Sequence, residues 1–255
     1  MLLLLSSCGS VPLTGRKQVL LVSDQEVLSS SLTQYSDYMK SAKKSSSKDG
    51  AAMVTRVGKK IAAATEQYLR NNGLESEIKN FAWEFNLVND PQVNAFCMPG
   101  GKIVVYEGLM QLVSSDDELA VVVGHEVAHA VAKHSNERMS QQLMAQYGAQ
   151  ILGQALSNKS AAVQKIGASV YGLGAQYGVM LPFSRKHESE ADYMGLVFMA
   201  MAGYNPAVAV NFWQKMSAGK SGSTPEFMST HPSDATRINE IKQHLPEIEK
   251  YRVKK

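Results

Sequence analysis

Cysteine is nearly absent from this chain. Its 255 residues include two, Cys8 and Cys97. The one disulfide they could form would tie the extreme N-terminus to the body, so a fold stapled by disulfides is not expected. An excess of one charge is missing too: 26 Lys and Arg face 23 Asp and Glu, for a net charge of +3. That is too little to point to nucleic acid, and none is expected as a partner. Basic residues gather only at the ends, in "GRK" at 15–17 and "YRVKK" at 251–255, and read as solvated. No long apolar run is present. The best segment, 160–182, contains Lys165 and two glutamines, whereas a spanning helix needs roughly 20 mostly apolar residues. Internal repeats and extended low-complexity tracts are also lacking. The remaining composition, 44% hydrophobic and 19% charged, is that of an ordinary folded domain.

The order of elements follows from periodicity and caps. Ser23 with Glu26 forms a capping box that opens a helix near Asp24, running to about residue 43. Val54, Val57, Ile61, Ala64 and Tyr68 recur at helical spacing, with Gly73 as the stop. "FAWEFNL" alternates Phe81, Trp83, Phe85 and Leu87 on one face, which predicts a half-buried strand. "NAFCMPGGKIVVY" at 94–106 reads as two short strands around a Pro-Gly-Gly turn, with Cys97 unpaired in the first. Ser115 with Glu118 caps the next helix. Residues 142–181, rich in small side chains, read as one or two helices that either cover a cleft as a lid or pack as core. Helices follow over about 184–202, from Pro206 to Ala218, and over 233–250.

The helix opened by Ser115 carries "VVVGHEVAHAVAKH", residues 121–134. Three histidines and a glutamate in so apolar a run need partners. His125 and His129 are four residues apart, hence only about 40° apart around a helix, and two imidazoles so placed can bind one zinc ion. Glu126 projects to the side, where it can take a proton from a water activated by that zinc. This is the H-E-x-x-H pattern of metalloproteases. His134 would lie roughly 180° from the pair on a continuous helix. It therefore reads as a packing or surface-facing histidine, and the third ligand must come from elsewhere. "FSRKHESEADYMG" at 183–195 offers His187, Glu188, Glu190 and Asp192. Glu188 and Asp192 share a face, so one can bind zinc while the other orients an imidazole. Three protein ligands and a water make a catalytic zinc site, not a structural one.

HEVAH followed by ESEAD resembles the gluzincin metallopeptidases of the HtpX and Oma type. "NAFCMPGGKIVVYEGL", "LPFSRKHESEADYMGL", "AGYNP", "THPSDATRI" and "VPLTGRKQ" extend the resemblance over most of residues 11–240. It implies an α+β fold, mostly helical and zincin-like, with a small sheet containing antiparallel strands. It implies His125, His129 and Glu188 as ligands of one zinc per chain, Glu126 as general base, and Asp192 as the carboxylate orienting a ligand histidine. It implies that His231 and Arg237 lie near the cleft, where they stabilise the tetrahedral intermediate or hold the site closed at rest. Asn94 and Ala95 resemble the edge-strand pair through which such enzymes hold an extended polypeptide by backbone hydrogen bonds. The activity implied is a zinc endopeptidase acting on unfolded or misassembled envelope proteins. The alternative is an assembly or chaperone-like lipoprotein with a latent site.

Many members carry flanking transmembrane helices, which this chain lacks. Instead, "LLLLSSC" resembles a bacterial lipobox. The expected organisation is a signal-peptide remnant at 1–7, a lipidated tether at 8–22 attached to the membrane through Cys8, and a single catalytic domain at 23–255. Gly9 and Ser10 after Cys8 include no retention aspartate, so an outer-membrane lipoprotein facing the periplasm is expected.

Overall fold

A helix that is apolar nearly all round has to lie inside the protein. In the computed structural model, which describes residues 8–143, 184–218, 226–231 and 235–253, the H-E-x-x-H helix occupies that place. The described elements begin with β1 (Cys8–Ser10), β2 (Lys17–Val19), α1 (Asp24–Ser41), α2 (Lys48–Asn71) and α3 (Glu75–Ile78). There follow β3 (Glu84–Val88), β4 (Ala95–Met98), β5 (Lys102–Tyr106), α4 (Glu107–Met110) and α5 (Asp116–Val131). The last are α6 (Arg185–Met201), α7 (Val208–Ala218), α8 (Glu226–Thr230) and α9 (Ala235–Ile248). Every residue of α5 from Leu119 to His129 is buried. The fold is α+β and mostly helical, as expected.

The sheet is small and mixed, in the order β3-β5-β4. β3 runs parallel to β5, and β4 runs antiparallel to it with Cys97 opposite Ile103. β5 is buried along its whole length, which leaves β4 as an edge. The turn between β4 and β5 needs its two glycines, since Gly100 and Gly101 have φ of 93° and 79°. The capping box of Ser23 and Glu26 forms in full. At α5, Ser115 accepts from the Glu118 N–H, while the Glu118 side chain accepts from the Ser114 N–H instead.

α5 and α6 cross with their backbones in contact. A Cβ placed on Gly124 would lie 2.8 Å from the carbonyl oxygen of Gly195, and one on Gly195 would lie 2.7 Å from the carbonyl carbon of Gly124. A glycine inside a helix costs about 1 kcal/mol relative to alanine; here the pair permits a crossing that no side chain would allow.

Two expectations are corrected. The strand expected over 81–87 starts at Glu84, because Phe81 and Trp83 stack on each other, centroids 4.6 Å apart, before the chain enters the sheet. The segment expected as a tether, 8–22, is folded: β1 and β2 form an antiparallel hairpin, and Val11 and Val22 are buried in the core. Their apolar surface gains more from burial than a solvated linker could recover. Of the segment 142–181, residues 142 and 143 continue a helical stretch, and 144–181 lie outside the described residues. Among the described residues, no helix is long and apolar enough to cross a membrane.

Candidate metal centre

α5 and α6 bring three of the expected ligands together. Nε2 of His125 and Nε2 of His129 are 3.0 Å apart. Glu188 reaches both, with Oε2 3.3 Å from His125 Nε2 and Oε1 3.3 Å from His129 Nε2. It can do so because Ser184 caps α6 by accepting from the His187 N–H, placing Glu188 in the first turn and facing α5. His231, at the end of α8, adds a fourth donor. Its Nδ1 lies 3.2 Å from His125 Nε2 and 3.1 Å from Glu188 Oε1. All four side chains are buried, and their donor atoms lie within 4.8 Å of one another.

The spacing itself tests whether a metal fits. Bonds of about 2.0–2.1 Å in a tetrahedron put neighbouring ligand atoms about 3.3–3.4 Å apart. The five separations above, which use both oxygens of Glu188, run from 3.0 to 3.3 Å, short enough for the four side chains to share one ion. Two imidazoles, a carboxylate and a third imidazole are a donor set that suits zinc.

Each ligand histidine is held from behind. His125 Nδ1 lies 2.9 Å from Asp192 Oδ1, which leaves Nε2 for a metal. Arg237 grips Asp192 through Nε and through Nη2 at 2.9 Å, and its Nη1 lies 2.9 Å from Glu188 Oε2. The guanidinium also packs 4.7 Å from the ring centroid of Trp213, which itself lies 5.5 Å from His125. Asp192 thus contacts His125 on one side and Arg237 on the other, and Arg237 bridges the two carboxylates.

His134 is the main correction in the site. It is fully buried, with Nδ1 2.9 Å from His129 Nδ1 and Nε2 2.9 Å from Glu190 Oε2. The angular argument assumed a continuous helix, but α5 ends at Val131 and Lys133 takes a φ of +57°. That left-handed residue turns the chain, so His134 returns to the ligand it was expected to avoid.

Glu126 stands beside the cage. Its Oε2 accepts from the Cys97 N–H at 3.1 Å, and its Oε1 lies 3.5 Å from His231 Nε2 with no hydrogen-bond partner among the described residues. Burial raises its pKa, against the lowering influence of His231 and His125. Burial opposes a charge on His125, but Glu188 and Asp192 outweigh it and lift that pKa to about 9. A proton on His125 thus adds to the positive charge that Arg237 already gives the two carboxylates. Zinc has to displace it. At pH 7, binding should release about one proton, which calorimetry in buffers of different ionisation enthalpy measures. A binding heat independent of the buffer would contradict this electrostatic picture.

Asn94 and Ala95 lie at the start of the edge strand. Asn94 is buried, and its Oδ1 accepts from the Ala95 N–H at 2.9 Å. The Cys97 N–H also turns away from β5, to Glu126. The donors that an incoming strand would use are thus already engaged, one of them by the expected base. Glu190 was named as a candidate but given no role, and two participants escaped notice in the sequence: Trp213 and Phe227, whose ring stacks on His231 at 4.5 Å. Those two carried no local signal.

Two helical histidines four residues apart, a glutamate between them and a carboxylate from a second helix are the donor set of a metallopeptidase centre. The chain belongs to peptidase family M48, whose family model matches residues 55–245. It is 36% identical over 205 residues to the mitochondrial metalloendopeptidase OMA1 of Schizosaccharomyces pombe, covering 77% of this chain and 53% of that protein. It is 27% identical over 254 residues to human OMA1, covering 94% and 46%. With the beta-barrel assembly-enhancing protease of Yersinia pestis it shares 33% identity over 174 residues, covering 64% and 36%. The chain spans about half the length of the OMA1 relatives, and less of the Yersinia protein.

Proposed function

We propose that this chain is a zinc-dependent metalloendopeptidase of the bacterial cell envelope that cleaves unfolded or misassembled polypeptides held in extended form. The observation that carries this reading is the convergence of the buried donors on His125, His129 and Glu188 within 3.0–3.3 Å of one another, with a buried carboxylate oxygen of Glu126 that has no hydrogen-bond partner among the described residues beside them.

Bound zinc would supply Lewis acidity and make water acidic enough to attack a peptide carbonyl near neutral pH. Glu126 takes the proton from the attacking water and passes it to the leaving amine. Its raised pKa suits both halves of that task. Asp192 keeps the proton of His125 on Nδ1, so that Nε2 stays a donor of electrons. β4 lies at an edge of the sheet, and a substrate strand that displaces Asn94 and Glu126 from its N–H groups would pair there by backbone bonds without reading much sequence. A peptide that takes the Cys97 N–H frees Glu126 for its role as base.

The envelope setting rests on the lipobox-like start, with a lipid on Cys8 as the anchor in the outer membrane, and on the likeness to a protease named for β-barrel assembly. The enzymatic reading is tested with casein as an unfolded substrate. Cleavage should stop with a zinc chelator and return when zinc alone is added back. Cleavage that persists without metal, or a zinc-loaded protein that leaves casein intact, would refute it.

A second reading is favoured by one observation. His231 Nδ1 lies 3.2 Å from His125 Nε2 and 3.1 Å from Glu188 Oε1 and would serve as a fourth protein ligand in place of a water, while its Nε2 faces Glu126. Such a site is latent until His231 moves away. On this reading the protein serves chiefly as an assembly or chaperone-like factor.

A further inference from the structure

Arg16 was expected in a solvated basic cluster, yet its side chain is only 13% exposed and lies between two carboxylates. Its Nε donates to Glu190 Oε2 at 2.7 Å, and its Nη1 and Nη2 donate to Glu137 at 2.9 and 2.7 Å. Thr14, four residues after the strand that begins the hairpin, donates its hydroxyl to Glu190 Oε1. Glu190 in turn holds His134, and His134 holds His129. An unbroken hydrogen-bonded chain therefore runs from the β1–β2 hairpin to a metal ligand.

The order of protons along it is determined. For His129 Nε2 to face a metal with its lone pair, Nδ1 must carry the proton. His134 Nδ1 then has to accept, so His134 carries its proton on Nε2 and gives it to Glu190. Glu190 must be ionised to accept from His134, Arg16 and Thr14 at once. Each link requires the next. Burying an arginine is costly unless it is well paired, and anchoring the hairpin alone would need no charge, since Val11 already packs it into the core. The same arrangement stands on the other side of the cage, where His125 is backed by Asp192 and Asp192 by Arg237. His134 is interposed on the His129 side because Lys133 turns the chain back.

We infer that Arg16 and Thr14, acting through Glu190 and His134, are positioning residues for the metal ligand His129, so that these two side chains of the N-terminal hairpin support the metal centre. The inference rests on the metallopeptidase reading for the role of His129 and extends it to a segment outside the residues matched by the family model.

The test compares Arg16→Gln, Arg16→Lys, Thr14→Val and Val11→Ala in the full chain. Zinc affinity is read by competition with a chromophoric chelator, and ligand geometry by the visible absorption spectrum of the cobalt(II)-substituted protein. Arg16→Gln should weaken zinc by up to roughly 10-fold, the lower end of what loss of a ligand's direct partner costs, and shift the cobalt bands. Arg16→Lys, which keeps the charge and loses the fork, should recover part of the loss. Thr14→Val removes one donor to Glu190 and should weaken zinc by a smaller factor, a readout that survives if Arg16→Gln does not fold. Val11→Ala loosens the hairpin without touching the chain of hydrogen bonds. It should lower the melting temperature and leave zinc affinity and the cobalt spectrum as in wild type. Wild-type zinc affinity and spectrum in folded Arg16→Gln, or in Thr14→Val where Arg16→Gln fails to fold, would overturn the inference. So would an equal loss in Val11→Ala, which would make the effect one of general stability. A wild-type protein that binds neither zinc nor cobalt overturns the metal-centre reading itself.

Discussion

Glu126→Gln should bind zinc like wild type and cleave casein at least about a hundredfold more slowly, within the 10²–10⁴ range that a positioned general base contributes. The substitution keeps the shape of the side chain, and an amide oxygen can still accept from the Cys97 N–H. Glu126 is not among the grouped donors, so the donor set survives. What is lost is the group that takes the proton from water. Initial rates on a fluorogenic casein and zinc content by emission spectrometry check both halves. A variant that cleaves as fast as wild type sinks the mechanism. The same variant separates the two readings of function. If it restores the phenotype of a deletion strain while cleaving nothing, the assembly role with a latent site gains over proteolysis.

Arg237→Met should cost the metal-free protein about 3–5 kcal/mol of stability, the usual effect of removing one partner from a buried ion pair. Two buried carboxylates, Asp192 and Glu188, lose their shared cation, and Trp213 loses the guanidinium stacked on it. Methionine of similar length fills much of the space, so the loss is electrostatic more than steric. With zinc bound the deficit should shrink, because the ion provides Glu188 with another positive charge, while Asp192 keeps only its contact with His125 Nδ1. Urea unfolding with and without zinc measures the two values. Equal stability of variant and wild type in the metal-free state would show that the carboxylates do not depend on Arg237.

How much of this site could be read in advance depended on the distance over which each residue acts. His125 and His129 were legible because a spacing of four is a local property of a helix. Glu188 and Asp192 were narrowed to one face by the same spacing, and the resemblance to a family then divided the roles between them. His134 was misplaced for a local reason: a lysine adopts the left-handed turn at position 133, and lysine carries no signal for it as glycine would. Arg16 was unreadable for a different reason. Its partners lie 121 and 174 residues away, and only the folded chain shows that a basic residue near the terminus is enclosed. The small mixed sheet was legible in β4 and β5, where the Pro-Gly-Gly turn fixes the hairpin. The parallel pairing of β3 with β5 skips over β4 and has no such marker.

The contact between Gly124 and Gly195 bears on which ions the centre could accept. Where side chains separate two helices, their distance can be altered by exchanging larger residues for smaller ones. Here main chain meets main chain, one residue before His125 and seven after Glu188. The interval between those donors is therefore a backbone dimension, beyond the reach of ordinary side-chain variation. A cation of larger radius would have to be met by rotation of the ligand side chains themselves, against the hydrogen bonds that hold them from behind. The spacing of the two helices that carry the donors is thus set by a pair of residues that includes neither His125 nor Glu188.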